Sequence, residues 1–229
     1  MPVQYFYKLV NQMIRSELLK LKSSPTIYLL VSFTIFEIAS AYGYLYWHRN
    51  LLTYKNIVLA FTLAYPSLIS VITNICFEQE REANNFQEVR KYSQVKLLTI
   101  KTLILDLLLW WISFFVWWII SYSIAQVKLG IISGIAMWLL IVLLNHSHMF
   151  LYMVTNKYIN LVFSLVEILF IIFASNKTLM SAYWCFIAWP INYLIHADNS
   201  KLYFSTMWIL ILTILDYFIF RSIELERID

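Results

Sequence analysis

The sequence has few of the residues that interrupt helices, and it has few charges. Among 229 residues there are three glycines, four prolines and two cysteines, and 13% of the residues are charged. Soluble domains carry about 25% charged and about 45–50% apolar residues, whereas 61% of this chain is hydrophobic and its mean hydropathy is +0.70. The shortage of charge excludes an ordinary soluble domain, and the shortage of glycine and proline favours long membrane-spanning helices over a β-barrel.

Several kinds of chemical site are also missing from the sequence. Cys76 and Cys185 form no CxxC pair, and on the topology expected below they lie near opposite faces of the membrane, so no disulfide is expected. A G-x-x-x-x-G-K-[ST] phosphate loop, a GxSxG motif and an HExxH motif are all absent, which disfavours an intramembrane enzyme. We therefore expect no catalytic residue, metal or cofactor in this chain, and no nucleic-acid partner.

Apolar runs predict an all-α integral membrane protein with six transmembrane helices. A helix of about 17–25 apolar residues crosses the hydrocarbon layer of a bilayer. The expected spans are residues 26–47, 56–77, 97–125, 131–154, 159–175 and 203–220. The apolar stretch 179–197 is broken at Trp189-Pro190, and we expect it to form an external hairpin (178–200) that dips into the membrane or lies on its surface without crossing.

The distribution of positive charge predicts the orientation. Twelve of the 17 Lys and Arg residues lie before the first span, in 78–101, in 155–158 or after the last span. Because cytoplasmic segments carry the excess of positive residues, both termini are expected in the cytoplasm. Residues 1–24 combine an apolar helical face with basic residues, which predicts an amphipathic helix at the membrane surface. Residues 25–229 then form the transmembrane domain.

The longest polar interruption lies on the expected cytoplasmic side, between the second and third spans. Residues 78–95 contain helix formers and no proline, which predicts a short surface helix. Phe86 and Val89 form an apolar spot on it that suits a groove on a partner protein. A solvated, charged loop is the simpler alternative.

This block resembles the coupling segment of ABC-2 type transporter permeases. The matching residues, in the order typical of that family, are Glu80, Glu82, Phe86, Arg90, Ser93 and Lys101. The chain departs from the family pattern at Asn84-Asn85, where a Gly-Thr pair is usual, and at Tyr92, where a proline is usual. The basic run 17–22, the six spans and the aromatic external segment are also similar to that family, most of all to its bacteriocin (lantibiotic) immunity permeases.

The resemblance implies a permease subunit of an exporter in the bacterial cytoplasmic membrane. ATP and Mg would bind to a separate ATPase subunit, and a second permease subunit, identical or related, would complete the pathway. The substrate would be amphipathic, such as an antimicrobial peptide or a lipid. The residues implied to contact the ATPase are Glu80, Glu82, Phe86, Val89 and Arg90.

Four carboxylates fall within the expected spans: Glu37, Asp106, Glu167 and Asp216. Ionisable groups inside a membrane are costly and are functional candidates by default. They could bind substrate or take part in gating, relay protons, or hold helices together by hydrogen bonds. An alternative function is therefore a proton-coupled secondary transporter that uses Glu37 and Glu167, while a non-transporting scaffold would need none of the four.

Three other patterns concern packing and the external side. His146 and His148 are two residues apart, so on a helix they point about 200° apart, which argues against chelation of one ion and favours hydrogen bonds between helices. Gly130 and Gly134 have the spacing of closely packed membrane helices. Trp184 and Trp189 belong to an external aromatic group that forms either an interfacial belt or a gate.

Overall fold

The computed structural model describes residues 3–22, 24–82, 94–124, 127–174, 184–196 and 198–225, and every element in these residues is helical. The helical elements include a π-helical turn, Trp111–Phe115, and a 3-10 turn, Tyr122–Ile124. The α-helices are α1 (Val3–Lys22), α2 (Pro25–Trp47), α3 (Leu51–Thr62), α4 (Tyr65–Glu82), α5 (Gln94–Trp110), α6 (Val116–Ser121), α7 (Val127–Val154), α8 (Lys157–Ala174), α9 (Ala188–His196) and α10 (Asn199–Leu225).

Five helical segments of the described chain are long and apolar enough to cross a membrane. They are Pro25–Trp47, Leu51–Glu80, Val95–Ser121, Val127–Val154 and Asn199–Ser222. The helical architecture is thus as expected and has the make-up of an α-helical membrane protein. The fifth of the six expected spans coincides with α8, an 18-residue helix that is not among these five.

Helix starts follow from local capping chemistry. The Ser24 hydroxyl accepts a hydrogen bond from the Thr26 amide at 3.2 Å, and Pro25 takes the first helical position, where its lack of an N–H costs no hydrogen bond. The start of α2 predicted from these two residues is confirmed. Asn50 caps α3 in the same way, accepting from the Thr53 amide at 2.7 Å.

The second span differs from the single helix predicted for 56–77. It begins at Leu51, and it is divided into α3, which ends at Thr62, and α4, which begins at Tyr65. Pro66 follows the division. Because proline donates no N–H and its ring clashes with the carbonyl four residues earlier, the first helix cannot run through it unbroken. Tyr65, at the division, is fully buried.

The predicted coupling helix, 78–95, is only partly described. Residues 78–82 continue α4 past the expected end of the span instead of beginning a separate surface helix, and α5 begins at Gln94. The Glu82 side chain and residues 83–93, which include Phe86, Val89 and Arg90, lie outside the described part of the chain.

The expected external hairpin contains α9, which is held inside the bundle. Nine residues at 1.5 Å per residue extend about 13.5 Å, less than half of an apolar layer of about 30 Å, so α9 is too short to cross. Ile187, Ala188 and Ile191 are almost fully buried, and α9 packs against α7, α8 and α10. The described residues of this segment thus form a short helix packed within the bundle.

The central helix is α7, which packs against α4, α5, α6, α8, α9 and α10. Glycines permit its close approach to the neighbouring helix. A Cβ added at Gly134 would lie 2.9 Å from the Phe114 carbonyl oxygen in the π turn, and one added at Gly130 would collide with the Ser121 side chain. The close packing predicted from the glycine spacing is confirmed. The π turn against which Gly134 packs was not predicted.

We predict that Gly134→Ala lowers stability by about 1–3 kcal/mol, because the added methyl group must displace backbone. The matched control is Gly43→Ala, since a Cβ at Gly43 has no heavy atom within 4 Å. Alanine also has the higher helix propensity, so the control should be neutral or stabilising. Thermal unfolding of the detergent-solubilised protein measures both, and equal midpoints for the two variants would contradict the packing assignment.

Candidate functional site in the helical bundle

The centre of the bundle is polar at one level of α7. Residues 145–148 (Asn-His-Ser-His) are all buried there. Because adjacent residues of an α-helix are about 100° apart, the two histidines face different neighbours. His146 faces α5 and α10, whereas His148 faces α8. The predicted role of these histidines in hydrogen bonds between helices is confirmed.

The first cluster consists of Asp106, Asn145, His146 and Asp216. Nδ1 of His146 lies 2.6 Å from Oδ2 of Asp216, and Nε2 lies 3.3 Å from Oδ2 of Asp106. The Asn145 amide donates to Oδ1 of Asp106 at 2.8 Å. Two of the four candidate carboxylates, which are 110 positions apart in the sequence, are therefore joined through one imidazole ring.

The cluster places two carboxyl groups around one imidazole ring. Nδ1 of His146 forms a hydrogen bond with Asp216, and Nε2 lies at a longer distance from Asp106. Acidic side chains therefore outnumber basic ones in this cluster by two to one.

The second cluster consists of Asn74, His148, Asn160 and Glu167. Asn74 donates to the backbone carbonyl of Lys157 at 3.2 Å, and its own Oδ1 accepts from the Asn160 amide at 2.9 Å. Oδ1 of Asn160 therefore faces Nδ1 of His148, at 2.7 Å, and Nδ1 must carry a proton. Nε2 of His148 lies 2.8 Å from Oε2 of Glu167, and both side chains are 0% exposed.

The contact between His148 and Glu167 is short, but it is not a well-formed hydrogen bond. Within the described residues, neither Nε2 of His148 nor either carboxylate oxygen of Glu167 has a hydrogen-bond partner, although Nε2 lies 2.8 Å from Oε2. Hydrogen bonds between helices, one of the three alternatives for the carboxylates, are present in this cluster at Asn74, Asn160 and His148, which join α4, α8 and α7.

The fourth candidate carboxylate is Glu37, on α2, which is buried. The Tyr65 hydroxyl donates to Oε1 of Glu37 at 2.5 Å, and Nε1 of Trp117 donates to the Tyr65 oxygen at 2.9 Å. Glu37 is thus joined to α4 and α6 and is separate from both histidine clusters. The proton relay expected between Glu37 and Glu167 has no direct contact between its two members in the described structure.

A fourth cluster, of charged side chains, ties three helices together at the end of α4. Nζ of Lys101 lies 2.9 Å from Oε1 of Glu80 and donates to the Cys76 carbonyl at 2.9 Å. Lys20, on α1, lies 3.1 Å from both Glu80 and Glu17. Glu80 was expected to contact an ATPase, but its side chain is 4% exposed and paired within the chain, which does not favour that contact.

The two aromatic gate candidates lie just before α9 and in its first turn. Trp184 is 68% exposed and contacts Phe170 edge-on at 5.9 Å between ring centroids. Trp189 is half-buried against α10, 5.6 Å from Phe204 and 6.4 Å from Trp208. Both tryptophans therefore contact neighbouring helices, and only Trp184 presents most of its surface outward.

A cavity of about 290 Å³ adjoins the first cluster, between α5, α7 and α10. Its polar lining includes Asp106, His146 and Asp216. Leu103, Thr213 and Tyr217 line it as well and are exposed, so the cavity opens on the outer surface of the bundle between α5 and α10.

Sequence reasoning identified the carboxylates and the two histidines but not which of them meet. It also missed Asn74, Asn160 and Tyr65 as partners. A usable signal existed, since an asparagine within an apolar span is costly unless it is hydrogen-bonded. The helix that supplies the partner could not be inferred from the sequence.

Comparisons with protein-family models, with curated proteins and with solved structures found no match to this chain.

We predict that Lys101→Met costs about 3–5 kcal/mol of stability, because it leaves the buried Glu80 carboxylate without its closest partner. The control is Lys157→Met, which removes a lysine that is 35% exposed from its pair with the partly exposed Glu78 and should cost about 0–1 kcal/mol. Adding Glu80→Gln to Lys101→Met should recover part of the loss. Unfolding midpoints in detergent measure the effect, and similar losses for the two lysine variants would refute this ranking.

Proposed function

We propose that the chain is the membrane-spanning permease subunit of an ATP-binding cassette exporter in the bacterial cytoplasmic membrane. In this arrangement the five apolar segments and α8 make six spans, and both termini lie in the cytoplasm. A separate ATPase subunit supplies the energy, and a second permease subunit completes the pathway. The sequence resemblance and the positive charge distribution support this assignment.

The observation that carries the proposal is the cluster of Glu17, Lys20, Glu80 and Lys101. It joins the end of α1 to the end of α4 and the beginning of α5, on both sides of the 83–93 connection. Because buried ion pairs resist separation, a force applied to that connection would move the three helices together. This is the mechanical property required where an ATPase acts on a permease.

The contacts with the ATPase are then assigned to Glu82, Phe86, Val89 and Arg90, with Glu80 holding the helices behind them. α2 and α10 present exposed apolar side chains, among them Ile35, Phe36, Leu210 and Phe218. These surfaces suit contact with lipid or with the second permease subunit. An amphipathic substrate, such as an antimicrobial peptide, would cross between the paired subunits. The exposed Trp184 is the candidate contact at the external side.

We predict that the protein, purified from its native membrane, brings down a subunit that carries a G-x-x-x-x-G-K-[ST] phosphate loop. Phe86→Asp should remove that subunit, because a charge replaces the apolar side chain expected to enter its groove. Gln87→Asp adds the same charge next to it and should retain the subunit. Mass spectrometry of the purified complexes distinguishes these results, and the proposal fails if the parent protein brings down no such ATPase.

We predict that a short epitope tag after Asp229 is accessible only when the membrane is permeable, since six spans return the chain to the cytoplasm. A tag inserted at Lys177 should be accessible in intact cells and serves as the control. Antibody labelling of intact and permeabilised cells measures both. A C-terminal tag reachable from outside in cells where the Lys177 tag is also accessible would contradict a single crossing between these two positions.

A second candidate function is a proton-coupled secondary transporter. It is favoured by the two histidine–carboxylate clusters, since such groups within spans are typical of proton relays. A transport assay on two variants distinguishes the two functions. Proton coupling predicts that Glu37→Gln abolishes transport while Phe86→Asp leaves it intact, and ATPase coupling predicts transport loss with Phe86→Asp.

A further inference from the structure

The cavity beside the first cluster has the composition of a binding site for a cation. Two carboxyl groups, Asp106 and Asp216, line it together with a single imidazole, His146. Neither lysine nor arginine is among the described residues that line it. In surroundings of low polarity, an unbalanced charge is costly and attracts a positive group.

One oxygen in particular lacks a donor. The Asp216 side chain is 4% exposed, and while its Oδ2 contacts His146, its Oδ1 has no hydrogen-bond partner in the described residues. A buried carboxylate oxygen without a donor costs free energy that a ligand N–H could recover. The carboxylate of Glu167 also has oxygens without a partner in the described residues, but Glu167 does not line this cavity, whereas Asp216 does.

The shape of the cavity restricts the ligand. A volume of about 290 Å³ accommodates a cationic head group and a few methylene groups but not a folded peptide. Its mouth, at Leu103, Thr213 and Tyr217, lies on the outer surface of segments that are apolar enough to be in the membrane. A ligand therefore approaches from the lipid side, with a hydrocarbon part that remains among apolar groups.

We propose that this cavity binds the primary ammonium group of an amphiphile that enters from the bilayer between α5 and α10. The ammonium donates to the free Oδ1 of Asp216, and the hydrocarbon chain leaves past Leu103 and Tyr217. This inference specifies a substrate class for the proposed exporter, but binding itself requires neither ATP nor a partner. The same chemistry is present in single-chain amines and in lipids with an ethanolamine head group.

The experiment uses the purified full-length chain in phosphatidylcholine nanodiscs, since the choline head group has no N–H to donate. The probe is dodecylamine with a photoreactive diazirine on its chain, and mass spectrometry locates the adducts. We expect adducts on the cavity-lining parts of α5 and α10. The alcohol with the same chain should label them at least about tenfold less, because a charge-assisted hydrogen bond is lost.

Three variants separate charge recognition from packing. Asp216→Asn should reduce labelling by about tenfold or more, and Thr213→Phe should block the mouth with all cluster charges retained. Glu167→Gln removes a buried carboxylate that does not line the cavity and should leave cavity labelling unchanged. Unfolding midpoints are measured for each variant, and Thr213→Phe keeps the test decisive if Asp216→Asn does not fold.

Two results would overturn the proposal. Equal labelling by the amine and the alcohol would make the cavity an apolar crevice, and unchanged labelling in both Asp216→Asn and Thr213→Phe would place the amine elsewhere. Replacing part of the phosphatidylcholine by phosphatidylethanolamine identifies the source. If that lipid lowers the labelling of the cavity, the cavity binds lipid head groups. If labelling does not change, the cavity binds single-chain amines. Absence of an ATPase partner would refute the exporter function without affecting this binding.

Discussion

Polar and ionisable side chains in an apolar bundle must find their partners inside the protein, and most of this structure depends on that requirement. Removing a charge from water is favourable only if another group supplies a proton or an opposite charge. Here α7 supplies partners for the carboxylates of three other helices, because His146 and His148 face opposite sides and contact α5, α8 and α10. The central position of α7 thus rests on polar contacts as well as on its glycines.

The two histidine clusters show that similar residues can have different roles. Two asparagines anchored on a backbone carbonyl orient the His148 ring, whose Nε2 lies 2.8 Å from Glu167. His146 instead lies between two aspartates, and a cavity adjoins these three side chains. The first arrangement joins three helices, and the second leaves a carboxylate oxygen, unpartnered in the described part of the chain, beside a space that a ligand can fill.

The charged cluster at the end of α4 links the fold to the proposed function. Glu80 is shielded by Lys101 and Lys20, so it stabilises the arrangement of α1, α4 and α5 behind the 83–93 connection. A partner protein that acts there would encounter a joined group of helices. The division of the second span at Pro66 and the π turn at Trp111–Phe115 lie farther along the same helices, where neighbours pack most closely.

The sequence by itself determined the helical class, the approximate spans, the start of α2, the close approach at Gly130 and Gly134, and the opposite directions of the two histidines. These features follow from local chemistry: apolar run length, capping, residue size and the helical period. Only the tertiary structure decided that Asp106 meets Asp216 through His146, that Asn160 orients His148, and that Glu80 is buried by Lys101. Such pairings join residues far apart in the chain, and their specificity comes from helix packing, which residue spacing within one helix does not encode.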